Sequence, residues 1–193
     1  MKTVVDIIEL FGGLDALKQK HIHLENRGYM PLVIECIGEG PSGYPLISVA
    51  HTYIQEGDVM YDPEMTFEVN WELRHTADAW GPITYRQDGL GLNQTAKWRD
   101  EDGKVYVKPD LVRSLRAFAR TWNKNLREQG FITAARTTCN AEFIERAEAR
   151  AAAASAPRQA HACAPVATPA VPPAPRQVQV RARRTVADIT WDD

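Results

Sequence analysis

The chain has 193 residues, 44% hydrophobic and 25% charged, with 23 Lys and Arg against 25 Asp and Glu. That length suits one domain with room for an appendage, and the apolar share is enough for a sizeable core. The net charge of −2 argues against strong non-specific DNA binding, which draws most of its affinity from phosphate contacts.

The N-terminus, Met1-Lys2-Thr3-Val4-Val5-Asp6, carries charges where a signal peptide needs an apolar run. No segment approaches the roughly 20 apolar residues of a membrane span. Three scattered cysteines, Cys36, Cys139 and Cys163, suit a reducing cytosol better than a disulfide framework, so a cytoplasmic protein with no membrane partner is expected. A first helix is predicted from Thr3, as cap, through Val4, Ile7, Ile8 and Phe11. Gly12-Gly13 interrupts it, and Leu14 to Lys20 adds a turn or two. Extended segments follow over 32–37 and 46–55, the second closed by a hairpin loop at Glu56-Gly57-Asp58. Met65, Phe67, Val69, Trp71 and Leu73 alternate with polar residues, the period of a half-buried strand. Segments 83–86 and 94–99 are further strands, and Asp102-Gly103 turns the last into 104–107.

The plainest element is a helix from Leu111 to about Gln129, with Asp110 as cap and Gly130 as stop. Leu111, Val112, Leu115, Phe118, Ala119, Trp122 and Leu126 form its apolar face. A short helical extension over 132–150, capped by Asn140, runs through Phe143 and Ile144 into an alanine run. Composition changes there. All 12 glycines lie at or before Gly130, and six of the 12 prolines lie in 151–193. An Ala/Pro stretch buries too little surface to offset its ordering entropy, so 151–193 is expected to be a disordered tail. Its five arginines against three aspartates give +2, leaving about −4 on the body. The expected class is α+β: a mainly antiparallel sheet of about five to six strands, an N-terminal helix and a long helix after the last strand.

Three stretches resemble a known family: Tyr29 to Glu35, Pro45 to His51 and Gly57 to Val69. The likeness continues through Tyr85-Arg86-Gln87-Asp88 and ends at Phe118 to Phe131, covering 1–131. It is to an uncharacterised bacterial domain family carried on integrative and conjugative elements, plasmids and prophages. The resemblance implies a mobile-element setting and supplies no mechanism.

Four constellations bear on function. Arg113, Arg116, Arg120, Lys124 and Arg127 fall within about 80° of arc on the long helix, away from its apolar face. Such a stripe suits an acidic protein surface or a phosphate backbone, and equally an ordinary solvated face. His51 with Asp62 and Glu64 on a facing strand is a weak catalytic candidate: a His beside carboxylates is a general base or half of a metal site. His21, His23 and Cys36 fall short of a metal-ligand pattern, and phosphate-loop glycine patterns are absent, so no cofactor or metal is expected. At the chain's end Ile189 and Trp191, beside Asp192 and Asp193 and after an Arg cluster, form a candidate docking peptide. The expectation is an accessory protein that binds a protein partner without catalysis. Nucleic-acid binding by the stripe and the Arg-rich tail is the alternative, and a hydrolase or metal-dependent enzyme at His51 the second.

Overall fold

The computed structural model describes residues 1–155. Its elements in order are α1 (Lys2–Leu10), α2 (Gly13–Leu17), β1 (Ile22–Leu24), β2 (Leu32–Glu39), β3 (Pro45–Gln55), β4 (Asp58–Val69), β5 (Trp80–Gln87), β6 (Leu92–Thr95), β7 (Lys97–Arg99), β8 (Val105–Val107), α3 (Pro109–Glu128) and α4 (Phe131–Ser155). Strands β1 to β6 form an antiparallel meander in chain order, and β7 and β8 pair apart as a two-stranded ribbon. The class is α+β, as composition and periodicity predicted.

Local chemistry fixes the register. Glu56 and Gly57 both take positive φ, and Gln55 pairs with Asp58, the two-residue turn whose twist matches that of the flanking strands. Pairing then runs from Ile54↔Val59 to Thr52↔Tyr61 and resumes at Ala50↔Glu64, so a bulge sets His51 against two residues, Asp62 and Pro63. Beyond it Ile47, Val49, Met65, Phe67 and Val69 point to one face. There they meet Val4, Val5, Ile7 and Ile8 of α1, Leu115, Ala119, Trp122 and Leu126 of α3, and Phe131 and Ala135 of α4 in one core. Each large side chain in it stabilises the fold by about 1.5–3 kcal/mol. The opposite face is polar: Ser48 Oγ donates to Glu64 Oε1 at 2.7 Å, and the Thr66 and Thr84 hydroxyls lie 2.6 Å apart.

Several boundaries differ from expectation, each for a local reason. Thr3 sits inside α1 and is buried; its N–H donates to Asn123 Oδ1 and its Oγ1 to the Asn123 carbonyl, at 2.9 and 3.0 Å. The cap is thus supplied by another helix, satisfying an orphan N–H of the first turn. Asp110 is not the cap of α3, because Pro109, with its preset φ, already occupies the first turn and Lys108 precedes it. Asn140 lies within α4, which continues without a break into the alanine run, the best helix formers there are, and passes residue 150 to Ser155. The alternation from Met65 stops at Val69: Trp71 and Leu73 belong to a 3-10 turn. The single strand expected over 94–99 divides at Ala96, whose N–H bonds Ile83 in the sheet while its carbonyl accepts from Lys108.

Candidate functional site

Helix α3 lies on the sheet through Leu115, Ala119, Trp122 and Leu126. Phe118, expected on the same face, sits at its margin, 38% exposed, against Tyr85 at 5.3 Å. The cationic arc is centred about 130° from the buried one, so it starts beside the core and sweeps outward. Arg113 pairs with Asp110 at 3.0 Å, Arg116 with Asp78 at 3.7 Å and Lys124 with Glu128 at 3.7 Å. Asp78 comes from the β4–β5 connection, far away in sequence. These are exposed pairs, of the kind that contribute about 0–1 kcal/mol. Among the described residues Arg120 and Arg127 have no carboxylate within 4.0 Å. The stripe is therefore partly neutralised, and Arg120 at its centre is open.

Where the arc meets the core there is a cleft of about 180 Å³ between α3, Met1 at the start of α1 and the β4–β5 connection. Phe67, Trp80 and Ala119 give it apolar walls, while Arg116, Arg120 and Asn123 stand along one side and Asp78 on the rim. Arg116 Nε is shielded from solvent and has no hydrogen-bond acceptor. Asn123 commits its Oδ1 and carbonyl to Thr3, leaving the amide NH₂ as a donor. Trp80 donates its indole N–H to the Arg74 carbonyl, so the cleft meets its apolar ring.

The β7–β8 ribbon carries a second exposed feature. Trp98 and Tyr106 are cross-strand partners with parallel rings 5.5 Å apart. Lys108 lies over Trp98 and Lys104 over Tyr106, at 5.4 and 5.1 Å. On the other side of the ribbon Lys97 reaches Glu68 and Ser42, and Arg99 the Pro41 carbonyl. Trp80, by contrast, is buried.

The bulge separates the expected His51 constellation. His51 faces the helices, between Trp122 and Phe131 at 5.6 and 5.5 Å. Its Nδ1 lies 3.2 Å from the Pro31 carbonyl, an acceptor only, so Nδ1 donates. Burial lowers its pKa, against a smaller upward pull from backbone hydrogen bonds and from Asp62. Asp62 accepts from Gln87 Nε2 at 2.6 Å, and Glu64 points to the opposite face, toward Ser48. The three residues do not converge on one point, and His51 is a core histidine.

His21 and His23 flank the buried Ile22 on β1; Cys36 follows Ile34, the partner of Ile22, and so lies on the other face from both histidines. The histidines instead line a larger cleft, of about 770 Å³, with Cys139 and Glu142 of α4. Glu142 there bridges Lys20 at 3.0 Å and Arg146 at 3.4 Å. No group of three or more metal-ligating side chains forms among the described residues. No helix among them is long and apolar enough to cross a membrane. Ile189 and Trp191 lie outside the described residues.

Sequence reasoning found the stripe but missed the cleft. Its walls come from β4, β5 and the connection between them, and only the fold brings these to α3. A family described as Domain of unknown function (DUF6908) matches residues 2–132, a span that takes in all eight strands and α3. No curated protein and no solved structure matches the chain.

Proposed function

We infer, from the premise that the chain belongs to the DUF6908 family, that it is a small cytoplasmic accessory protein of a mobile genetic element. It acts by binding an acidic surface of a protein partner along α3 and performs no chemistry of its own. The observation that carries this reading is the arc from Arg113 to Arg127, exposed over most of its length and only weakly countered by Asp110, Asp78 and Glu128. Like charges at i,i+4 along Arg116, Arg120 and Lys124 cost a few tenths of a kcal/mol per pair, which a merely solvated face has no need to bear. The mobile-element setting rests on the resemblance described above. Ile189 and Trp191 extend the proposal to a second contact made by the chain's end. The test is a pull-down comparing the full chain with the triple variant Arg116→Glu, Arg120→Glu, Lys124→Glu. A partner lost with the variant supports the reading; an unchanged set of partners refutes it. A narrower form, inhibition of a host defence such as restriction, follows from the setting by analogy alone. It predicts that expression of the protein raises the plating efficiency of a restricted phage, and an unchanged efficiency removes it.

The ribbon favours a second reading. A stacked Trp98–Tyr106 pair with Lys104 and Lys108 over its rings resembles the aromatic and cationic surfaces on which single strands lie. That reading predicts a log–log salt slope of roughly −0.7 per phosphate neutralised on single strands. It also predicts a loss on Trp98→Ala of about 1–3 kcal/mol of binding. A flat gel-shift titration at low salt eliminates it.

A further inference from the structure

We propose that the cleft beside Arg116 is a binding site for a small organic oxyanion, a carboxylate or phosphate carried on an apolar group about the size of a ring. This deepens the reading of α3 as a binding face and rests on it. The polar side chains along one side of the cleft are all donors. The accessible end of the Arg116 guanidinium meets only Asp78, at 3.7 Å, the Arg120 guanidinium beside it has no carboxylate partner among the described residues, and Asn123 offers only its NH₂. An oxyanion brings acceptors alone, and its hydrogen bonds to guanidinium groups are charge-assisted, so it complements this set of donors.

The shape of the cleft suits an apolar group. Behind the donors stand Phe67, Trp80 and Ala119, and Trp80 has already given its N–H to Arg74, so the wall is apolar. The volume of about 180 Å³ is close to that of cavities that hold a benzene ring. Asp78 is the one acidic side chain on the rim among the described residues. It approaches Arg116 Nη1 at 3.7 Å, beyond good hydrogen-bonding range, with a side chain 94% exposed. An exposed, poorly seated carboxylate is a displaceable occupant of the anion position. The larger cleft by His21 lacks this imbalance, because Glu142 already serves Lys20 and Arg146.

The experiment is an NMR titration of the full chain with four probes: inorganic phosphate, acetate, benzoate and phenyl phosphate. Shifts of the Arg116 Nε–H and Trp80 Nε1–H report the cleft. The proposal expects saturable shifts at both, with phenyl phosphate and benzoate at least tenfold tighter than inorganic phosphate and acetate. Arg116→Gln should weaken phenyl phosphate at least tenfold. Asp78→Asn should tighten it several-fold, an effect that a structural role for Asp78 does not produce. Weak, unsaturated shifts spread over all surface cations, or tight binding that survives Arg116→Gln, would overturn it. An acidic peptide titrated into the same samples separates the two levels. If the peptide still binds along Lys124 and Arg127 while the four probes fail, the cleft proposal is wrong and the face stands. If the probes bind and the peptide does not, the broader reading fails.

Discussion

Glu68 is a tightly held carboxylate, with a side chain 4% exposed. Lys97 caps one of its oxygens, and the Ser42 and Tyr44 N–H groups donate to the other. Gly40 packs against it so closely that an added Cβ would come within 2.7 Å of Glu68 Cγ. This carboxylate ties the β2–β3 turn to the start of the β7–β8 ribbon. Removing one partner of a buried pair leaves the other charge uncompensated, so Glu68→Gln should destabilise the protein by about 3 kcal/mol. Urea unfolding should show a lower midpoint at an unchanged slope; an unaltered midpoint would mean that the pair is not structural. His51 makes a pH-dependent prediction. Its folded-state pKa lies below the unfolded value of about 6.5, with burial the main cause. The unfolded chain therefore binds the proton first as pH falls. The neutral form's stability is fully present above about pH 6.5 and is lost as pH falls below it toward the folded pKa. The slope for one proton is at most about 1.4 kcal/mol per pH unit. His51→Gln should flatten thermal stability across that window, whereas an identical pH profile would show that His51 is not the titrating group.

At the scale of elements, α3 sets stability against availability. Arg116, Arg120 and Lys124 repel one another along one face, and Arg120 has no internal counter-charge among the described residues. The substitution Arg120→Glu converts one repulsive spacing into a Glu-to-Lys pair in the favourable order with Lys124, and the other into a pair with Arg116. It should raise stability by about 0.3–0.5 kcal/mol per pair while abolishing binding of an acidic ligand. Calorimetry beside the binding titration checks both halves; a variant that loses stability and binding together would point to a structural role for Arg120. The helices and most strands were legible because their signals are local: apolar spacing at Leu115, Ala119, Trp122 and Leu126, alternation at Met65, Phe67 and Val69, and the Glu56-Gly57 turn. The errors share a cause. The cap of α1 comes from Asn123, and the division at Ala96 depends on carbonyl and amide partners at Ile83 and Lys108. None of these long-range hydrogen bonds leaves a mark in the local pattern. The bulge at His51 likewise reversed the face of Glu64 relative to a plain hairpin, dissolving a constellation that sequence spacing had drawn together.

Across the whole molecule, the meander gathers its apolar side chains on the helix-bearing face and leaves Ser48, Glu64, Thr66 and Thr84 on the other. Cations that sequence placed on a single stripe acquire a context only here. Arg116 turns into a cleft walled by β4 and β5, Arg120 stands beside it, and Lys124 and Arg127 continue the face outward. The proposed function places an acidic ligand on this face. Its most direct test is an amide-resolved NMR titration of the full chain with an acidic peptide, repeated with a single-stranded oligonucleotide. The account predicts saturable peptide shifts running from Arg113 to Arg127 that vanish in the Arg116→Glu, Arg120→Glu, Lys124→Glu variant, with weaker oligonucleotide shifts. Peptide shifts elsewhere in the molecule, or oligonucleotide shifts that are the stronger and centre on Trp98 and Tyr106, would contradict it.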